Sequence, residues 1–240
     1  MANVSLFIPC IVDVLQPDIG KAAVSLLRRI GQDPVYHKDQ TCCGQPAFNT
    51  GFRKEAQRLA KHFIEVFGDD EVVVSPSGSC VYTVKQHYPV LFENEPDWLR
   101  RAEAIGSRIY ELSQYLVDVL GVMDVGARFR GKVAYHESCH VNRCLGISEQ
   151  PKALIHKVKD TEFIPLPLAD MCCGFGGEFS GKYPKISEAM VHAKVQTYLD
   201  CGADLLVLCE PGCLINISGY LNRHHPEKKV MHIANFLMLK

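Results

Sequence analysis

Two adjacent cysteines followed by a glycine occur twice in this chain, in TCCGQPAFNTG (residues 41–51) and in MCCGFGGEFSG (residues 171–181). The recurrence reaches beyond the pairs. Cys10 and Cys139, Cys42 and Cys172, and Cys80 and Cys213 lie 129, 130 and 133 residues apart. Three landmarks that keep their spacing within a few residues mark two copies of one unit. Any fold for this chain has to present the same order of cysteines twice.

The segments around these landmarks alternate between strand and helix patterns. VSLFIP (4–9) has strand length and runs into Cys10, and EVVVSPSGSC (71–80) leads a run of valines through a Pro/Gly turn to Cys80. KVAYHESC delivers a strand to Cys139, and DLLVLCEPGC delivers another to Cys213. Helices are expected over 18–31, with Asp18 as N-cap and Gly31 as stop, and over 53–68, which 183–202 mirrors in the second copy. Such alternation implies parallel sheets, with ligands gathering beyond the carboxyl ends of the strands. The expectation is an α/β protein of two pseudo-symmetric, Rossmann-like domains with mainly parallel sheets, facing each other. The first spans 1–125 and includes a connecting helix over about 97–121 that has no twin, and the second spans 126–240.

Charge excludes some functions. Twenty-six basic and 27 acidic side chains nearly cancel, which gives no footprint for nucleic acid. The N-terminus MANVSLFIPCIVDV has no basic n-region and meets Asp13 before an apolar segment grows long enough for secretion or membrane spanning, so a cytoplasmic location without a membrane span is expected. Structural disulfides are rare in that compartment, and eleven cysteines therefore point to metal binding or redox chemistry. No G-x-G-x-x-G opens a helix after a strand, so the sequence offers no nicotinamide or flavin site.

Adjacent cysteines restrict the chemistry further. A disulfide between neighbours is strained. Structural zinc draws on ligands two to four residues apart, which lets both sulfurs turn onto one small ion, and Cys-Cys lacks that spacing. Side chains that diverge from adjacent positions suit a larger, multi-iron object, and four soft thiolates per copy match an iron–sulfur cluster. Zinc stays the rival reading, and small buried thiols the bland one. Cys144, Cys201 and Cys209 have no counterpart in the first copy and read as bystanders, Cys209 being the one that lies close enough to Cys213 to join the site. His136 and His140 flank Cys139 and are candidates to hydrogen-bond cluster sulfur, or plain packing histidines. Gly44, Gly174, Gly176 and Gly177 are candidates to let the backbone approach a cluster.

With these motifs, and with SPSGSC and CLINISG beside them, the chain resembles the cysteine-rich CCG-domain family almost end to end. That family includes the B subunit of heterodisulfide reductase and the iron–sulfur subunits of glycolate oxidase and anaerobic glycerol-3-phosphate dehydrogenase, and the resemblance is nearest to its lactate-utilisation branch. The resemblance implies an iron–sulfur electron-transfer subunit that works with LutB-type and LutC-type companion proteins to oxidise L-lactate to pyruvate. It also implies two clusters, which oxygen can strip, one on Cys10, Cys42, Cys43 and Cys80 and the other on Cys139, Cys172, Cys173 and Cys213. The chain departs from the heterodisulfide reductase pattern, in which each repeat ends in Cys-x-x-Cys, because Ser77 and Glu210 stand three residues before Cys80 and Cys213. Four thiolates in each repeat fit an ordinary [4Fe–4S] cluster, two in all, better than the noncubane type. A thiol/disulfide or quinone reductase subunit and a structural zinc protein are the competing functions.

Overall fold

The computed structural model describes residues 4–240. The part of the N-terminal reading that rests on residues 1–3 lies outside them. The chain divides into two compact units, one ending at Tyr115 and the other spanning Leu116–Lys240.

The first unit is built on a parallel sheet of three strands, β1 (Val4–Leu6), β2 (Val72–Ser75) and β3 (Ile109–Glu111), in the order β1-β2-β3. Beyond β1, Val35 forms a single parallel bridge to Ser5. The second unit holds β4 (Arg128–His136), β5 (Lys159–Phe163), β6 (Leu205–Leu208) and β7 (Lys229–His232), all parallel, in the order β5-β4-β6-β7. These are one topology at two degrees of completeness. Val4 faces Val72 in the first sheet as Val133 faces Leu205 in the second, and the position held by β5 is reduced in the first unit to the bridge at Val35, which follows a proline with no N–H to give.

Helices pack against these sheets through narrow apolar stripes. The helix Arg53–Phe67 buries Ala56, Ala60, Phe63, Ile64 and Phe67, a three-to-four-residue spacing that keeps one face toward the core. Pro184–Asp200 buries Ser187, Val191, Lys194, Val195 and Tyr198, which is the same pattern 131 residues on. Phe7, at the end of β1, meets Phe63 edge-on at 4.9 Å and Phe67 at 5.7 Å between ring centroids. Pairs of this kind add about 0.5–1.5 kcal/mol to the burial of each ring.

Four expectations need correction. The stretch 97–121 is not one connecting helix. A helix over Pro96–Gly106 gives way to β3, a three-residue Glu-capped helix and a π-type turn over Tyr115–Val119. Ile109, Leu112 and Leu116 happen to continue the helical spacing, and a three-residue strand is too short to impose an alternation of its own. Nor is the segment without a twin, because β3 occupies in the first sheet the place that β7 occupies in the second. Asp18 lies inside the first turn of the helix Pro17–Arg29 rather than capping it, since Pro17 takes the first helical position. Likewise β4 starts at Arg128, ahead of the KVAYHESC run that marks it in the sequence, and the register shift between Arg128 and Gly131 hides its alternation.

Two buried residues terminate the matching strands. Glu111 accepts from the backbone N–H of Ser113 at 2.7 Å and of Gln114 at 3.2 Å, and His232 Nδ1 accepts from Ala234 N–H at 3.1 Å. Glu111 also takes the Ser113 hydroxyl, yet its Oε1 has no hydrogen-bond partner. Burial pushes its carboxyl from 4.5 up to about 7. Between those values the folded chain holds the proton more tightly than the unfolded chain does. Stability is therefore intact below the unfolded value and falls as pH rises toward 7, by up to about 3 kcal/mol. Glu111→Gln should flatten this slope, and urea unfolding of both proteins between pH 5 and 8 reads the difference. Parallel pH profiles for the two would show that Glu111 stays ionised in the fold.

Candidate functional site

Each sheet delivers its cysteines to the carboxyl ends of two neighbouring strands, β1 and β2 in the first and β4 and β6 in the second. In the first unit Cys10 opens the helix Cys10–Leu15 four residues after β1, and Cys80 lies in the first turn of the helix Gly78–Tyr82 after β2. The CCG loop brings Cys42 and Cys43 to the same place. Cys43 points inward, 2% exposed, with its Sγ 3.3 Å from the buried Cys80 Sγ. Cys42 turns the other way and shares a hydrogen bond with Cys10, which is exposed. The four thiols form a string, Cys10–Cys42–Cys43–Cys80, from solvent to core.

The second unit repeats this string as Cys139–Cys172–Cys173–Cys213. Cys173 and Cys213 are buried with sulfurs 2.9 Å apart, and Cys213 lies in the first turn of the helix Pro211–His224. Cys139 precedes a π-type turn over His140–Cys144. All eleven cysteines are free.

Glycine makes the strings possible. Gly44 and Gly174 have φ of 85° and 82°, and in each the N–H lies 3.4 Å from the sulfur of the first cysteine of the pair. A Cβ on Gly174 would fall 2.7 Å from the Ser187 carbonyl oxygen and 2.8 Å from Met190 Cβ, and one on Gly44 would fall 3.3 Å from Leu59 Cβ. The loop thus lies directly on the helix behind it. In both units a side chain donates to the carbonyl of the buried cysteine, Tyr88 Oη to Cys43 at 2.9 Å and Asn216 Nδ2 to Cys173 at 2.7 Å.

Thiols packed so closely cannot titrate independently. Hydrogen bonds from Cys10 and Cys43 hold Cys42 well below the usual thiol range, while the same bond pushes Cys10 up. Cys172 is lowered in the same way by Cys139 and Cys173. A hydrogen bond from Cys173 holds Cys213 down, with the His136 imidazole and Ser138 adding to the effect. The first string thus favours a thiolate at Cys42 and the second at Cys172 and Cys213, and a bound cation would favour the rest.

The other predicted residues divide. His136 is buried beside the second string, its nearest ring nitrogen within 4.8 Å of the Cys173 and Cys213 sulfurs. His140 Nδ1 lies 3.7 Å from Cys139 Sγ, and burial pushes its imidazole down. Gly176 and Gly177 have positive φ in the turn entering the helix Glu178–Lys182, and their backbone geometry serves that turn. Cys144 is exposed, Cys201 donates to the Tyr198 carbonyl at 3.1 Å, and Cys209 receives the Tyr135 hydroxyl at 3.3 Å. Sequence reasoning missed Tyr88, Asn216 and Lys194, whose roles depend on partners 25 or more residues away. It also missed Gly212, where a Cβ would meet the Phe175 ring at 2.5 Å; the phenylalanine of CCGFGG was its only trace.

The profile described as "CCG: Cysteine-rich domain" matches residues 4–85 and 133–218, and each span encloses one string. The chain belongs to the CCG cysteine-rich domain family. Its relatives include "Lactate utilization protein A" of Bacillus pumilus and of Bacillus subtilis, each 47% identical over 235 residues that cover 98% of both chains. The protein of that name from Exiguobacterium is 46% identical over 239 residues, 99% of this chain and 97% of that one. Among solved structures, a hypothetical protein from Helicobacter pylori aligns with a TM-score of 0.67 at 12% identity, over 99% of this chain and 48% of that one. That likeness concerns the fold alone, and this CCG chain spans about half the length of the Helicobacter protein.

The CCG glycine should be the least replaceable residue of the motif. Gly174→Ala combines a left-handed backbone with a clash against a carbonyl and should cost more than about 2 kcal/mol. Gly44→Ala, whose Cβ meets a side chain, should cost about 1–2 kcal/mol. Denaturant unfolding of the metal-free protein under reducing conditions measures both, and an unchanged midpoint for Gly174→Ala would show that the loop lifts off its helix at no cost.

Proposed function

We propose that each cysteine string holds an iron–sulfur cluster of the [4Fe–4S] type and that the protein is an electron-transfer subunit in lactate oxidation. One observation carries the reading. Four thiols run from solvent to core in the same order in both units, and in each the adjacent pair splits, one sulfur inward and one outward. A donor set drawn out along a line suits an object with several coordination points better than a single tetrahedral ion.

When bound, such a cluster takes up and releases single electrons. The chain's own residues do the rest. Cys43 with Cys80, and Cys173 with Cys213, close the inner side of each site against water. Cys10, Cys80 and Cys213 each lie in the first turn of a helix, whose backbone N–H groups favour a bound anionic group. Assembly expels the remaining thiol protons, so it should be favoured as pH rises. Cys10 and Cys42 keep the outer end of the first site near solvent, where an electron can enter or leave.

The relatives named for lactate utilisation supply the physiological context, and the substrate reading rests on them. The chain has no dinucleotide fingerprint, and a cluster passes on electrons without performing the hydride or carbanion chemistry that lactate oxidation demands. We assign that step to companion proteins of the LutB and LutC types in the bacterial cytoplasm. Among the described residues no helix is long and apolar enough to cross a membrane.

Protein reconstituted without oxygen should be brown and carry iron and sulfide in near-equal amounts. Cys42→Ser should lose about half of the iron and Cys172→Ser the other half. Pyruvate formation should be negligible for the chain alone and substantial for the chain with its two companions. Zinc without sulfide would replace this reading with a structural metal site, and robust turnover by the isolated chain would make it the dehydrogenase itself.

A further inference from the structure

The two sites share their cysteines but not what lies behind them. At the end of β1 the chain reads Phe7-Ile8-Pro9 before Cys10, and at the end of β4 it reads His136-Glu137-Ser138 before Cys139. Strand register equates Phe7 with His136, and the burial pattern of the helices behind equates Phe63 with Lys194. The edge-on Phe7–Phe63 pair of the first unit is thus replaced in the second by two nitrogen-bearing side chains, both essentially unexposed.

These side chains meet at one backbone carbonyl. Lys194 Nζ donates to the Ala169 carbonyl at 2.9 Å and to that of Leu168 at 2.8 Å. His136 Nδ1 lies 3.2 Å from the same Ala169 oxygen. A carbonyl has no hydrogen to give, so Nδ1 carries the proton and, in the neutral ring, Nε2 carries the lone pair. Nε2 is buried with no nitrogen or oxygen partner, and the Cys213 thiol beside the ring is the group left for it to meet. Burying such an atom without a nitrogen or oxygen partner costs stability, which an apolar residue like Phe7 would avoid. The ring lies against Cys173 and Cys213, with the three donor atoms within 4.8 Å of one another. An imidazole whose far nitrogen donates to a backbone carbonyl and whose near nitrogen faces thiols has the arrangement of a metal ligand.

We propose that His136 is a fifth donor to the metal centre of the second unit, through Nε2, and that the first unit has no counterpart. The assignment rests on the cluster reading above. It makes the centres chemically distinct, the first held by sulfur alone and the second by sulfur and one neutral nitrogen, with the buried Lys194 fixing the carbonyl that orients the ring.

The test is pulsed electron paramagnetic resonance on the full chain, labelled with 15N-histidine, reconstituted anaerobically with iron and sulfide, and reduced with dithionite. Wild type should show a 15N coupling of the size given by a directly bound imidazole. It should persist in Cys42→Ser, which keeps the second centre, and vanish in His136→Phe while a cluster signal remains. His136→Gln gives the same reading if the phenylalanine variant does not fold. Full iron and sulfide without this coupling would overturn the assignment and leave the cluster reading standing. A coupling that survives His136→Phe would overturn it in favour of His140. A chain that takes up neither iron nor sulfide would overturn both.

Discussion

The contact between a glycine and the helix behind it sets the geometry of both sites. The CCG loop has to bring one sulfur into the core and keep its neighbour at the rim, and it does so by lying flat on the helices Arg53–Phe67 and Pro184–Asp200. A side chain on Gly174 would occupy the space of the Ser187 carbonyl oxygen. Ser187 Oγ in turn donates to the Gly174 carbonyl at 2.8 Å, so the loop is held as well as admitted. Once the glycine is seated, Cys43 and Cys173 can only point toward the helix that follows the next central strand, where Cys80 and Cys213 wait.

That helix differs between the units in a way that leaves the site alone. In the first unit residues 78–91 form a short helix, a π-type turn over Thr83–His87 and a last short helix, whereas Pro211–His224 is regular throughout. Pro89 supplies the reason. Its ring would collide with the carbonyl four residues back in a regular helix, and the wider turn moves that carbonyl away. The turn begins after Cys80, so the cysteine keeps its place in the first helical turn. It also carries Tyr88 into the core, where its hydroxyl reaches the Cys43 carbonyl.

The duplication, the parallel sheets and the convergence of the strings were legible in the sequence because they rest on spacing and on strand runs such as VVVS and LLVL. What was not legible depends on short elements and on long-range partners. β3 has three residues and sits inside a helical pattern, and β5 reads KDTEF, with none of the apolar character of a buried strand. Its first-unit counterpart shrinks to one bridge at Val35, which no pattern marks. The roles of His136 and Lys194 required knowing that both reach the Ala169 carbonyl, although the polar YHES against the apolar LFIP was visible in the matched segments.

A duplicated site is free to diverge wherever the shared constraint does not reach. The cysteines, the CCG glycines and the donor to the buried cysteine's carbonyl are fixed in both units because each acts directly on the string. The layer behind acts only through packing, and there the units separate. Phe7, Phe63 and Phe67 fill the first with rings that need no partners, each contributing about 1.5–3 kcal/mol by burial. The second gives up part of that and buries Lys194 instead, whose ammonium burial pushes down to about 8 even with the Cys213 and Cys173 thiols acting the other way. A lysine in that layer is a poor choice for stability alone, since burying its ammonium costs more than two backbone carbonyls return. Its position is understandable if the charge and the carbonyl it holds serve the string in front of it, and the difference between the two units then lies in the chemistry of their sites rather than in drift of their cores.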